Sequence, residues 1–142
     1  MPARATPDGM GAGRRIAITL AAACALGLAG PASARVLQIQ VDRLATPVPA
    51  GRVVVTGRVG CEPGEVVGIR VRLSQRATAA WGEGVFRAPC RSPAQEWSVQ
   101  VIRRRTAGRF EAGGATACTL EVTARGTTPT DAHQACRSVR IV

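Results

Sequence analysis

The chain has 142 residues, 19 basic side chains that are all Arg, and 9 acidic ones, for a formal net charge of +10. That length holds one ordinary domain and excludes a large multidomain enzyme. Apolar residues are plentiful and valines recur in runs, which excludes a disordered polar chain; collagen and coiled-coil repeats are absent as well.

Residues 1–34 read as an export leader. Arg4, Arg14 and Arg15 outweigh Asp8, and an apolar run follows over residues 16–28. The run matches a signal-peptide core and is shorter than the ~20 residues a spanning helix needs. Gly30 and Pro31 break it. Ala32, Ser33 and Ala34 are the small residues a signal peptidase reads, which places the cut between Ala34 and Arg35. Arg14-Arg15 is a twin-arginine pair, but Ile16-Ala17-Ile18 lacks the residues that usually follow one, so the Sec and Tat routes both stay open. Cys24 is read as a small apolar residue of the leader. The expected product is residues 35–142, one secreted or surface-held domain with no membrane span.

Four cysteines remain after the cut: Cys61, Cys90, Cys118 and Cys136. An even count in a small exported domain reads as two disulfides. No C-x-x-C pair occurs and His133 is the only histidine, so neither a metal nor any other cofactor is expected. Three pairings are possible, and Cys61–Cys90 with Cys118–Cys136 is preferred. With strands alternating up and down, Cys61 and Cys90 fall at one end. Cys118 and Cys136 begin strands at opposite ends, so their bridge requires Cys118 to sit deeper in the sheet or the last connection to bend.

Strand patterning begins at residues 36–41 and continues over 52–59. In 65–75, Val67, Ile69, Val71 and Leu73 alternate with Gly68, Arg70, Arg72 and Ser74, the period of a half-buried strand. A short strand is expected at 81–86, with a turn at Gly82-Glu83-Gly84. In 96–104, Trp97, Val99 and Val101 share the inner face. In 116–125, Cys118, Leu120 and Val122 are assigned to one side. Residues 137–142 close the domain with Val139 and Ile141 inward. Breakers at 46–51, 62–65, 91–94, 113–114 and 126–129 separate these runs. About seven short strands at this spacing predict an all-β fold, a single small antiparallel immunoglobulin-like β-sandwich.

The run Val55-Thr56-Gly57-Arg58-Val59-Gly60-Cys61 resembles the V-x-G-x-x-x-C segment of small secreted actinobacterial proteins of unknown function. Val71-Arg72-Leu73-Ser74-Gln75, Gly82-Glu83-Gly84, Cys90, residues 97–101 and residues 110–115 fit the same group. The resemblance covers most of the mature chain and rests on strand and turn motifs. It implies an immunoglobulin-like domain exported by a high-GC actinobacterium, and it carries no catalytic residue.

Enzyme chemistry finds little support. His133 lies near Asp131 in an expected polar loop, no nucleophile motif such as G-x-S-x-G occurs, and the acids are scattered. The expectation is a protein that is not an enzyme. Charge is more informative. Arg103, Arg104, Arg105 and Arg109 cluster after one strand, and Arg70 and Arg72 share the wet face of another. Guanidinium groups suit phosphate and carboxylate. These six arginines are the candidate anion-binding residues, with an anionic cell-envelope polymer or a secreted protein as partner. Four aromatics and no Tyr make sequence-specific nucleic-acid recognition a poor fit. Trp81, beside Gly82, is assigned to core or edge cover, with an exposed contact residue as the alternative role. The alternative function is a secreted hydrolase inhibitor acting through the Pro-stiffened loop around Arg91.

Overall fold

The computed structural model describes residues 39–142. The expected leader, residues 1–34, and its cut between Ala34 and Arg35 lie outside these residues. Seven strands make up the described chain: β1 (Gln40–Val48), β2 (Arg52–Gly60), β3 (Val66–Gln75), β4 (Ala80–Pro89), β5 (Ala94–Arg103), β6 (Gly113–Arg125) and β7 (Thr128–Ile141). They close into one barrel in the order β1-β2-β5-β4-β3-β6-β7.

The all-β expectation holds, but the immunoglobulin-like sandwich does not. Two short seams convert what alternation reads as open sheets into a closed barrel. At one seam, β4 and β5 pair at Gly82–Arg103 and Glu83–Ile102. A Cβ at Gly82 would stand 2.4 Å from the Ile102 carbonyl oxygen, and one at Gly84 would stand 2.4 Å from that of Gln100. These two glycines are therefore mid-strand residues that let β5 pass close to β4, rather than the expected turn. At the other seam, β1 runs parallel to β7 through Leu44–Arg140 and Ala45–Ile141. The register of β1 on β2 slips between Val41 and Ala45. That bulge bends β1 toward β7, a common device at barrel rims.

The core follows the alternation in β2, β3 and β5. Val53, Val55 and Val59, then Val67, Ile69, Val71 and Leu73, then Trp97, Val99 and Val101 are buried, joined by Val139 and Ile141. Trp97 lies over Gly57, where a Cβ would meet the ring at 2.5 Å. Gln75 is also buried, and it holds the loop before β6. Its Nε2 donates to the Glu111 carbonyl at 2.8 Å, and its Oε1 accepts from the Glu111 N–H at 2.9 Å.

Cys118, Leu120 and Val122 share one side of β6, as the pattern indicates, and that side is the outer one. Ala115, Ala117, Thr119, Glu121 and Thr123 point inward, while Leu120 and Val122 are 44% and 36% exposed. The polar inner face finds partners on β7 and in the turn before β3. Thr119 donates to the Ala135 carbonyl. Thr130 donates to the buried Glu65 carboxylate and shares a hydrogen bond with Thr123, while Glu65 also accepts from the Glu62 N–H. Those bonds offset part of the cost of burying the hydroxyls and the Glu65 carboxylate.

Candidate functional site

Both disulfides form. Cys61–Cys90 joins the chain after β2 to the chain after β4, and Cys118–Cys136 joins β6 to β7. The first pair sits at one end of the barrel, as strand alternation requires. The second is possible because β6 begins at Gly113 and β7 at Thr128, both earlier than the pattern of apolar residues indicates. Each cysteine then lies mid-strand, and the two are directly paired in register.

One outer surface of the barrel runs across β7, β6, β3 and β4. Alternation in β3 turns Arg70, Arg72 and Ser74 outward as Ile69, Val71 and Leu73 turn in. Register then fixes their neighbours. Arg70 lies opposite Val85 and Leu120, Arg72 opposite Glu83 and Cys118, and Ser74 opposite Trp81 and Thr116. Trp81 is half-buried on this outer face and is not part of the core. The Arg72 guanidinium carbon stands 4.7 Å from the Trp81 ring centroid, and that of Arg104 stands 5.2 Å away. Each contact is worth ~0.5–1 kcal/mol at an exposed site and reduces the freedom of a long side chain.

The backbone brings Arg104 there. Its N–H donates to the Trp81 carbonyl at 3.0 Å just past the β4–β5 seam. Its guanidinium also meets Glu83 at 3.4 Å, a solvent-exposed pair of little energetic weight. Arg103 turns the other way, donating to the carbonyls of Arg104 and Ala107 at 3.2 and 2.6 Å, and so shapes the loop. Arg105 lines a surface hollow with Glu83, Ile102 and Arg104. Arg109 is exposed further along the same loop.

Of the six candidate arginines, the structure therefore joins Arg72 and Arg104 through Trp81. Arg70 lies two residues along the same face and Arg105 beside it, while Arg103 is committed to the loop. Sequence reasoning missed Trp81 as the platform. The available signal was hairpin length: the short turn over Arg76–Thr78 sets Trp81 opposite Ser74, one outward position from Arg72. Apolar side chains share the surface, with Val85 76% and Ile102 63% exposed.

The loop between β4 and β5 holds Arg91 in the open. The Arg91 N–H donates to Gln95 Oε1 at 2.8 Å, and Gln95 Nε2 donates to the Pro89 carbonyl at 3.2 Å, with the Cys61–Cys90 bridge behind. His133 belongs to strand β7 rather than to a loop, half-buried, with Nε2 3.0 Å from Asp131 Oδ2. Among the described residues, no group of three or more His, Cys, Asp or Glu could hold a metal ion, and no helix is long and apolar enough to cross a membrane.

No protein-family model matches this chain, and no curated protein is similar to it. Two disulfides are compatible with an extracellular protein.

Proposed function

We propose that this is a secreted, non-catalytic binding module for an anionic envelope polymer, with the outer face around Trp81 as its working surface. The observation that carries the reading is the pair of guanidiniums, Arg72 and Arg104, set on one indole with Arg70 alongside. Cations held on an aromatic platform lose less freedom when they engage phosphate or carboxylate, and the net charge of the chain draws a polyanion toward them. The leader-like residues 1–34 and the two disulfides support export.

The test is retention on immobilised polyphosphate across a salt series. Retention is expected to fall steeply with salt and to drop in Arg72→Gln/Arg104→Gln. Equal retention of the wild type and this variant at low salt would sink the assignment.

A second reading is favoured by the Arg91 loop, which is exposed and fixed on both flanks. On that reading the protein inhibits a secreted hydrolase that accepts a basic side chain. Inhibition of a trypsin-like protease that is lost in Arg91→Ala would support it.

A further inference from the structure

We propose that Cys118–Cys136 is a thiol-exchange site on the barrel wall, reactive toward small anionic thiols while the barrel stays folded. Access is the first ground. Cys136 is exposed and Cys118 half-buried on the outer face of β6 and β7, whereas Cys61 and Cys90 are 4% and 5% exposed. Exchange requires a thiolate to approach along a disulfide, so it proceeds at the open bridge first.

The surroundings supply the second ground. Cys118 shares a small hollow of about 150 Å³ with Arg70, Arg72, Glu83, Thr119, Leu120 and Gln134, so two guanidiniums and one carboxylate line it. The two arginines outnumber the one carboxylate, and their net positive charge beside the bridge draws a thiol that carries a carboxylate toward it. That charge also favours the thiolate that must leave, because a nearby cation stabilises the deprotonated sulfur.

The third ground is that the strands do not depend on the bridge to stay together. β6 and β7 are paired from Gly113–Ile141 to Arg125–Thr128, on both sides of the cysteines. Opening one cross-link on the outer surface leaves that ladder and the core beneath it in place.

The reaction balances without any further oxidant or reductant. The thiolate of the small thiol attacks the Sγ of Cys136, the more exposed residue of the pair, and forms a mixed disulfide. The Cys118–Cys136 bond breaks, and its electron pair leaves on Cys118 as a thiolate. A second small thiolate then attacks the sulfur of the bound thiol and releases Cys136 as a thiolate. Two small thiols are oxidised to one disulfide, the protein disulfide is reduced to two thiols, and the protons of the small thiols end on the cysteines.

The experiment exposes the folded protein to mercaptoacetate, or to neutral 2-mercaptoethanol, with iodoacetamide present to trap any freed cysteine. Peptide mass mapping then locates each adduct. The expected products carry mercaptoacetate on Cys136 and carbamidomethyl on Cys118, with Cys61–Cys90 intact and the far-ultraviolet circular dichroism unchanged.

Arg70→Gln and Arg72→Gln, singly and together, are expected to slow mercaptoacetate about three- to ten-fold and 2-mercaptoethanol less. Opening of Cys61–Cys90 at the same rate, or opening of Cys118–Cys136 only in urea, would overturn the site. A mercaptoacetate adduct on Cys118 would overturn the assigned direction of attack. Arginine variants that keep the wild-type rate with mercaptoacetate would overturn the anionic preference.

Discussion

Cys61 and Cys90 are 4% and 5% exposed and tie two connections at one end of the barrel, while Cys118 and Cys136 bridge two neighbouring strands on its outer wall. The bridges differ in what else holds their ends together. β2 and β4 are not neighbours, because β5 runs between them, so Cys61–Cys90 joins segments that no strand ladder joins. It is supported by backbone bonds from Cys61 N–H to the Pro93 carbonyl and from Cys90 N–H to the Glu65 carbonyl. β6 and β7 form a long hairpin around Cys118–Cys136, so that bridge repeats a connection the backbone already makes. An inner staple thus decides where loops meet, and an outer one is free for chemistry.

The comparison is broken most directly at the inner bridge. Cys61→Ala/Cys90→Ala is expected to lose about 4 kcal/mol, from the freed unfolded chain and the buried space left behind. Urea unfolding would measure the loss, and a smaller loss than at the outer bridge would reverse the comparison.

The next largest effect falls at the β4–β5 seam. Gly84→Val places a Cβ against the Gln100 carbonyl and should cost about 2–3 kcal/mol, read as a lowered Tm. Gly114→Ala on β6 meets nothing within 4 Å and should stay within about 0.5 kcal/mol of wild type. Cys118→Ser/Cys136→Ser should lose only about 1–2 kcal/mol, because residual hairpin structure in the unfolded chain reduces what the cross-link adds. Trp81→Ala should lose only about 1 kcal/mol, yet it should weaken retention on polyphosphate as much as removal of Arg72 and Arg104. Unchanged retention in this variant would detach the arginines from their platform.

The sequence was a good guide where one face of a strand is uniformly aliphatic. Val67, Ile69, Val71 and Leu73 in β3, and Trp97, Val99 and Val101 in β5, could be placed inward because each makes up a wholly apolar face, and both sets are buried. In β6 the same reasoning separated the two faces correctly but left open which one is buried. Leu120 and Val122 alternate with Thr119, Glu121 and Thr123, and apolar residues are the default choice for the interior. The inner face is instead the polar one, stabilised by Thr130, Glu65 and the Ala135 carbonyl. Period two separates two faces without saying which is buried, and the partners that decide it come from β7 and the turn before β3.

The candidate site was legible in part for a related reason. Arg70 and Arg72 could be put on one outward face because they lie in one strand. Arg104 could not be put beside Arg72, because their meeting at Trp81 depends on β5 crossing β4 at Gly82 and Gly84. Arg103, next in chain to Arg104, turned out to hold the loop.

Alternation, breakers and cysteine parity were local properties, and by themselves they determined an all-β domain, most of its core and the presence of two bridges. Barrel closure, the inward polar face of β6 and the arginine–tryptophan surface belong to the tertiary structure. Each arises where segments distant in sequence come within hydrogen-bonding or van der Waals reach, and local patterning carries no record of that distance.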